Sequence, residues 1–175
     1  RCLQLSSGEY INFLMDDDLF NQDKITEMMK YYLEYENISL VTSYRQVIDD
    51  NGNYLPPIEA TKKLFEKDVI ISGRELGNFV ISNMINIIGE PTTVLFKKED
   101  LRDEFGKYFG RQYYPLSDVS TWLQLMTKGN VVYIAKALSY IRIHKNQNAN
   151  SIINVITGTI EWFNLIKDSY YKTNY

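Results

Sequence analysis

Hydrophobic and polar positions along the chain alternate between two periods, one typical of strands and one typical of helices. Residues 9–15 form a mostly apolar run between a glycine and an acidic cluster, which predicts a buried strand. From Asn21 onward, apolar residues recur at helical spacing to about residue 36, with Asn21 as the predicted N-cap. Residues 38–47 are rich in β-branched and aromatic side chains and predict a second strand, followed by a turn at Asp50-Asn51-Gly52.

The rest of the chain continues this alternation. We expect a helix over 72–88 that ends at Gly89, a strand over 91–96, and a short helical piece near Leu101. Further expected elements, in order, are a loop over 106–114, a helix from Ser117 to Gly129, a strand pair at 131–134 and 138–143, and a terminal helix over 152–170. No internal repeat or Gly/Ser linker interrupts the sequence. The pattern predicts a single α/β domain spanning residues 1–175.

Composition narrows the class of protein. A length of 175 residues with 45% hydrophobic and 23% charged residues suits one soluble domain. The net charge of −3 gives no general attraction to nucleic acid, so we expect no nucleic-acid partner. No long uncharged apolar run is present, and the one cysteine, Cys2, excludes an intrachain disulfide. These features predict a cytoplasmic protein, with peripheral attachment to the inner face of the membrane left open.

The most distinctive chemical feature is the run Asp16-Asp17-Asp18 directly after the first predicted strand. Neighbouring carboxylates repel, by roughly 3 kcal/mol for a pair about 6 Å apart at an effective dielectric near 20. A bound Mg²⁺ or Mn²⁺ would remove this repulsion, and the carboxyl end of a strand is where ligands bind in α/β sheets. A solvated acidic loop before a helix explains the run equally well.

Two other motifs that begin with an apolar strand and aspartates were compared with this run. An EF-hand calcium loop requires acidic or amide residues at alternate positions and then a glycine, whereas Phe20 and Asn21 occupy the fifth and sixth positions. Phosphatases of the haloacid dehalogenase type continue with Gly-Thr or a similar pair, whereas this chain continues with Leu19-Phe20. The EF-hand motif therefore fails, and the resemblance to these phosphatases is weak, which leaves a phosphatase as a distant third alternative.

Four segments in order resemble the family 2 glycosyltransferases. Residues 7–20, Ser-Gly-Glu-Tyr-Ile-Asn-Phe-Leu-Met-Asp-Asp-Asp-Leu-Phe, look like the family's metal-binding strand. Residues 89–101 look like the strand and helix that follow it, and Ser117-Asp118 with the helix after it looks like the segment that bears the general base. Residues 137–144 look like the closing strand with its Arg-x-His ending. The resemblance implies a GT-A-like mixed sheet flanked by helices, with the N-terminal nucleotide-binding units missing.

The resemblance also implies roles for particular residues. Asp17 is expected to ligate a divalent cation, Mn²⁺ or Mg²⁺, with Asp16 contacting the metal shell or the donor's ribose. Asp118 is expected to be the catalytic base, ionised at neutral pH without special tuning because an unperturbed aspartate has a pKa of about 3.9. His144 is expected to reach the metal or the diphosphate, and Arg142 is expected to contact the phosphates, as is Lys145. For each of these a purely structural role stays open: an acid in the first turn of a helix for Asp118, a strand-end histidine bonded to the backbone, and a solvated basic strand end.

Departures from the family pattern refine the expected reaction. Met15 stands where the family often has aspartate, and Ser117 stands where many members have glutamate. The Gln-x-x-Arg-Trp motif of processive synthases is absent from the sequence. The implied function is therefore inverting, non-processive transfer from a nucleotide-sugar donor to a glycan or lipid-linked acceptor. A degenerate, non-catalytic module for assembly or glycan binding is the alternative.

Two further expectations follow from the position of the metal motif near residue 1. The resemblance places two strand-helix units, each of roughly 30 residues, before this motif. We therefore expect this chain alone to lack most of the nucleoside pocket and to be inactive. We also expect the strand over 9–15 to present an unpaired apolar edge that favours self-association. Thr92 and Thr93 are candidates for lining an acceptor site, although β-branched residues in a strand need no such role.

Overall fold

The computed structural model describes residues 2–144 and 152–173, which form a mixed sheet covered by helices on both faces. Its α-helices are α1 (Cys2–Leu5), α2 (Lys24–Glu34), α3 (Gly73–Asn83), α4 (Ser117–Met126) and α5 (Ile152–Thr173). Its strands are β1 (Tyr10–Asn12), β2 (Leu19–Phe20), β3 (Ile38–Ile48), β4 (Val69–Ser72), β5 (Leu95–Lys97), β6 (Lys107–Tyr108), β7 (Arg111–Gln112) and β8 (Asn130–Arg142). No described helix is both long enough and apolar enough to cross a membrane.

The sheet is built around its two longest strands, β3 and β8, which run parallel to each other. Strand order is β1-β5-β3-β8-β2, and β4 pairs with β8 alongside β2. All pairings other than β3 with β8 are antiparallel. The carboxyl ends of β3 and β8 therefore meet at one edge of the sheet, and the acidic run between β1 and β2 lies at this edge because β2 pairs with residues 139–140 of β8.

Alternating residues of the central strands fill two cores, one on each face of the sheet. Leu40 packs with Phe96 and Trp122 on the face covered by α3 and α4. Val41, the next residue, packs with Met28 of α2 on the opposite face. Successive side chains of a strand point to opposite faces of the sheet. Because both faces are covered, β3 and β8 carry nearly continuous apolar runs. The predicted α/β class and the strand over 38–47 are confirmed.

The predicted strand pair at 131–134 and 138–143 is wrong in one respect, because β8 is one continuous strand. Its register against β3 shifts where Ser43 pairs with Ile134 and Tyr44 pairs with Ala137. Such a bulge bends a strand without ending it, so the polar Lys136 between the two apolar runs does not mark a turn. Residues 107–112, expected to be a loop, form the two-stranded hairpin β6-β7.

The predicted end of the helix at Gly89 is also wrong. Helix α3 ends at Asn83, and its C-cap, Met84, adopts the left-handed conformation (φ 49°). Ser72, where the predicted helix begins, is its N-cap and accepts a hydrogen bond from the amide of Glu75. Gly89 instead lies in a tight turn with a φ of 123°. The predicted strand over 91–96 begins only at Leu95 for the same reason: the turn closes with the amide of Thr93 donating to the carbonyl of Glu90.

The first predicted strand is shorter than expected. Only Tyr10–Asn12 pair, and Leu14 and Met15 are 56% and 43% exposed. The amide of Met15 donates to the hydroxyl of Thr92 rather than to a neighbouring strand. Within the described residues β1 pairs with β5 alone, so it lies at the end of the sheet order.

Candidate active site

The three adjacent aspartates occupy three different environments. Asp16 is exposed, Asp17 is partly buried, and Asp18 is only 8% exposed. Asp18 accepts one hydrogen bond from the Thr92 hydroxyl (2.6 Å) and one from the amide of Arg142 (3.1 Å). Burial raises the pKa of Asp18, and these two hydrogen bonds oppose the rise. Asp18 therefore anchors the acidic loop to β8, whereas Asp16 and Asp17 remain accessible to solvent.

Asp17 and His144 lie side by side, as their predicted shared role requires. The imidazole Nε2 of His144 is 3.3 Å from Asp17 Oδ2, and both side chains are partly exposed. Arg142 contacts the backbone of the acidic loop. Its Nε donates to the carbonyl of Asp17 (2.8 Å), and its Nη1 donates to the carbonyl of Asp49 (2.5 Å). Arg142 thus braces the acidic loop against the carboxyl end of β3, and its contact with phosphates stays a prediction. Lys145 lies outside the described residues.

The donor set at this position fits a cation that takes part of its coordination from a substrate. Asp17 offers carboxylate oxygens and His144 an imidazole nitrogen, both acceptable to Mn²⁺. Among residues 2–144 and 152–173, no cluster of three or more histidine, cysteine or acidic side chains is placed to hold a metal. Mg²⁺ and similar ions commonly bind through one or two carboxylates with waters and substrate phosphates completing the shell. The metal role of Asp17 and His144 stays a prediction.

Asp118 lies in the first turn of α4, and its carboxylate is held by two donors. Its Oδ2 accepts from the side-chain amide of Asn86 (2.8 Å) and its Oδ1 from the amide of Val119 (2.7 Å). Burial raises the pKa of Asp118 to about 7, with the nearby charge of Glu90 adding to the rise. The expectation of an untuned carboxylate with a pKa near 3.9 is therefore wrong. A carboxylate has about four lone-pair directions, so two donors leave it able to accept a further proton.

A compact turn formed by residues 86–90 orients Asp118. The side chain of Asn86 closes this turn by accepting from the Gly89 amide (3.0 Å) and donating to the Gly89 carbonyl (3.2 Å). The indole of Trp122 also donates to that carbonyl (2.8 Å). A side chain at Gly89 would meet Thr93 at 2.7 Å. Sequence reasoning missed Asn86, for which the Gly-Glu-Pro sequence of the turn was the only signal.

Glu90 connects the two ends of the cleft. Its carboxylate is 2.7 Å from Nε of Arg45, a β3 side chain that is only 3% exposed. The negative charge of Glu90 contributes to the raised pKa of both Asp18 and Asp118. Glu90 is therefore within electrostatic range of the acidic loop on one side and of the predicted base on the other. The region between the acidic loop, Glu90 and Asp118 is called the cleft below, and its role as an active site stays a prediction.

Lys24 is buried against Thr92, the residue that donates to Asp18. It is 1% exposed, and its ammonium group donates to the carbonyl of Thr92, the carbonyl of Thr93 (3.2 Å) and the hydroxyl of Ser139 (2.5 Å). Burial lowers the pKa of Lys24 to about 7, and the charge of Asp18 opposes this. Thr92 and Thr93 are themselves fully buried, so they do not line an acceptor site as considered.

Comparison with known proteins places this fold. No protein-family model matches the chain. It is 26% identical over 148 residues to an uncharacterized protein of Mycobacterium tuberculosis, covering 81% of this chain and 44% of the relative. It is 28% identical over 185 residues to an uncharacterized glycosyltransferase of Rickettsia bellii, covering 98% and 24%, and 25% identical over 149 residues to one of Rickettsia typhi, covering 84% and 43%. The chain thus spans less than half the length of these relatives.

Solved structures with a similar fold include TarS of S. aureus. The full TarS structure superposes with a TM-score of 0.57 at 14% identity, covering 97% of this chain and 26% of TarS. A TarS structure in complex with UDP gives a TM-score of 0.52 at 16% identity, covering 94% and 41%. The fold class predicted from the sequence, a GT-A-like mixed sheet flanked by helices, is confirmed. The chain is therefore similar in sequence to proteins named as glycosyltransferases, and it has a glycosyltransferase-like fold.

Proposed function

We propose that this chain is the metal-binding and acceptor side of a nucleotide-sugar glycosyltransferase that transfers one sugar at a time with inversion. The observation that carries the proposal is that Asp118, a carboxylate with a raised pKa, and Asp18, the neighbour of Asp17, both lie within electrostatic range of Glu90. A base and a metal-binding pair in one cleft are the two components that such a transfer requires.

Asp118 supplies the base. The hydroxyl of the acceptor attacks the anomeric carbon of the donor sugar while its proton passes to Asp118, and the bond between that carbon and the diphosphate breaks. Attack from the side opposite the diphosphate inverts the anomeric centre. A pKa of about 7 suits the task, because a base works best when its pKa lies near the operating pH.

Asp17 and His144 would hold a divalent cation at the other end of the cleft, and that cation would supply positive charge for the leaving nucleoside diphosphate. Asp16, which is exposed next to Asp17, would contact the metal shell or the ribose. Arg142 keeps the loop that carries both aspartates in position through the carbonyl of Asp17. The UDP bound to a TarS structure of the same fold supports a nucleoside diphosphate as the leaving group.

The mode of transfer and the acceptor rest on the sequence. The absence of the Gln-x-x-Arg-Trp motif supports non-processive transfer, and the family resemblance supports a glycan or lipid-linked acceptor of the kind used in polysaccharide synthesis. A cytoplasmic location with peripheral contact to the membrane is consistent with such an acceptor.

Separate substitutions of the two ends of the cleft test the proposal. In the intact protein, Asp118→Asn should reduce release of UDP from UDP-sugars by at least about 100-fold, the usual range for removing a general base. It should leave Mn²⁺-dependent UDP binding, measured by calorimetry, within about twofold of wild type, because the base acts only in the chemical step. Asp17→Asn should weaken UDP binding about tenfold or more. Glu66→Gln, which removes a charge from an 88% exposed side chain outside the cleft, is the control.

Equal loss of UDP binding in the Asp118 and Asp17 variants would show that Asp118 is not a dedicated base. Glycan binding by a wild-type protein that binds no nucleoside diphosphate, tested with UDP, GDP, CDP and TDP, would instead favour the non-catalytic alternative.

A further inference from the structure

The ion pair between Arg45 and Glu90 is unusual because a buried arginine is paired with a glutamate that is partly exposed beside the cleft. Arg45 is almost fully buried and donates to the carbonyls of Ala60 (2.8 Å), Asn86 (2.9 Å) and Ile87 (3.2 Å). A guanidinium with this many fixed acceptors has little freedom to move. Its Nε lies 2.7 Å from Oε2 of Glu90 as an ion pair without hydrogen-bond geometry, and both atoms are buried.

The backbone on both sides of Glu90 is fixed as well. On one side, Gly89 is bonded to Asn86, whose amide holds Asp118. On the other, Thr92 donates to Asp18, which anchors the acidic loop. The Glu90 side chain nevertheless keeps 34% of its surface exposed, so part of it remains accessible from the cleft. An ion pair whose only task was to neutralise Arg45 would not require this exposure or this central position.

The geometry of the transfer assigns an occupant to this position. In an in-line displacement the transferred sugar lies between the leaving diphosphate and the attacking hydroxyl. In the proposed reaction the diphosphate end is at Asp17 and the hydroxyl end at Asp118. Glu90 lies in the chain between Asn86, which donates to Asp118, and Thr92, which donates to Asp18, the neighbour of Asp17. The nucleoside lies beyond the metal and the acceptor beyond the base, so the ring of the transferred sugar is the part of the substrates that faces Glu90.

Resting on the function proposed above, we infer that Glu90, held by Arg45, binds hydroxyl groups of the transferred sugar and thereby contributes to donor selection. Oε2 of Glu90 is buried beside Arg45, so Oε1 is the oxygen that accepts from the sugar hydroxyls. A carboxylate oxygen has two lone pairs, and hydrogen bonds to a charged group are stronger than neutral ones. A site built to accept such bonds discriminates against sugars that do not present hydroxyls in the matching positions. Glu90 is on this view a substrate-binding residue, and Arg45 is a positioning residue that acts through it.

Binding of UDP and of UDP-sugars, measured separately in the intact protein with Mn²⁺, tests this inference. Glu90→Gln should weaken the tightest-binding of UDP-glucose, UDP-galactose and UDP-N-acetylglucosamine by about tenfold, or about 1.4 kcal/mol, and leave UDP within about twofold. Glutamine keeps an oxygen that can accept from Arg45, so the fold should persist, as a thermal melt would verify. Glu90→Asp, which keeps the charge beside Arg45 but retracts the carboxylate, should produce the same selective loss. Glu66→Gln is the control.

Two results would overturn the role of Glu90. One is equal weakening of UDP and UDP-sugar, which would mean that Glu90 supports the diphosphate end. The other is UDP-sugar binding within twofold of wild type in both variants. Failure of the wild-type protein to bind any nucleoside diphosphate is a different outcome, because it would refute the proposed transferase and this inference together.

Discussion

At the scale of single residues, identical side chains acquire different chemistry from their surroundings. Asp18, Asp17 and Asp16 are adjacent in the chain, yet the first is bonded inside the protein, the second lies beside His144 and the third is exposed. Asp118, which belongs to another element and is partly buried, has a pKa raised to about 7 because its carboxyl group is withdrawn from water beside a negative charge. Local environment, rather than residue type, distinguishes the predicted base from the predicted ligand.

The raised pKa of Asp118 predicts a pH-dependent reaction. If Asp118 is the base, kcat/KM of the intact enzyme should rise about tenfold per pH unit below pH 7 and level off above it, because only the ionised form accepts a proton.

The free energy of unfolding should show the opposite trend with pH. A carboxyl group whose pKa is raised in the folded state contributes stability below its unfolded pKa of about 3.9, and this contribution is lost as pH rises through about 7. Asp118→Asn should therefore be more stable than wild type at pH 8, by about 1 kcal/mol in urea denaturation. A profile of kcat/KM that is flat between pH 5 and 8 would contradict the role of Asp118 as the base.

The buried ammonium group of Lys24 predicts a second pH effect, of opposite sign. Its pKa is lowered to about 7 in the folded protein, so between pH 7 and about 10.4 the unfolded chain binds a proton that the folded chain does not. Stability from this group is complete above the unfolded pKa and is lost as pH falls to about 7. Between pH 7 and pH 9 the free energy of unfolding of wild type should gain about 1 to 2 kcal/mol relative to Lys24→Met.

Urea denaturation at several pH values measures this difference. Lys67→Met, which removes an exposed lysine, should leave the pH dependence of wild type unchanged. A parallel pH dependence in wild type and Lys24→Met would show that Lys24 stays protonated in the folded protein.

At the scale of elements, the turn between α3 and β5 determines the arrangement of the cleft. It contains Asn86 and Glu90, and its carbonyl at Gly89 receives the Trp122 indole of α4. The turn therefore joins the helix that carries Asp118 to the strand beside the acidic loop. Lys24 of α2 fixes the residues that follow it, through the carbonyls of Thr92 and Thr93.

Gly89→Ala tests the importance of this turn. A Cβ at this position would lie 2.7 Å from the side chain of Thr93, on a backbone with a φ of 123° that side chains rarely adopt. We expect a loss of about 3 kcal/mol in the free energy of unfolding, with loss of transfer activity because Asn86 and Glu90 move with the turn. Gly52→Ala is a matched control: Gly52 also has a positive φ (84°), but its Cβ would meet no atom within 4 Å. The control should cost about 1 kcal/mol and retain activity. Similar losses in both variants would show that the turn is not specially constrained.

At the scale of the whole molecule, the edge strand β1 is the surface through which we predict self-association. Strand β1 pairs with β5 alone among the described strands, and an open strand edge can pair with another chain. Because β1 has only three residues and is followed by the exposed Leu14, we expect weak association, with a Kd of about 0.1 mM, equivalent to about 5 kcal/mol.

Sedimentation velocity over a range of concentrations measures this association. Leu14→Lys places a charge beside the edge and should abolish association, whereas Leu33→Lys, at an 80% exposed position on α2, should leave it unchanged. A monomer at all concentrations up to 1 mM, about ten times the expected Kd, would refute the prediction.

The sequence by itself determined the class of fold, most of its elements and the candidate site residues. Hydrophobic periodicity located β3, α2, α4 and α5, because burial of one face imposes a period that is visible without coordinates. The resemblance of four segments, in order, to family 2 glycosyltransferases predicted the GT-A-like sheet and singled out Asp17, Asp118 and His144 as candidates.

The tertiary structure alone decided which partners these residues have. Asp18 contacts Thr92, Lys24 contacts Ser139, and Glu90 contacts Arg45 across separations of 74, 115 and 45 positions in the chain. Local pattern carries no information about such contacts, because they depend on which strands become neighbours in the sheet. The raised pKa of Asp118 and the lowered pKa of Lys24 follow from the same long-range packing, since each is caused mainly by burial.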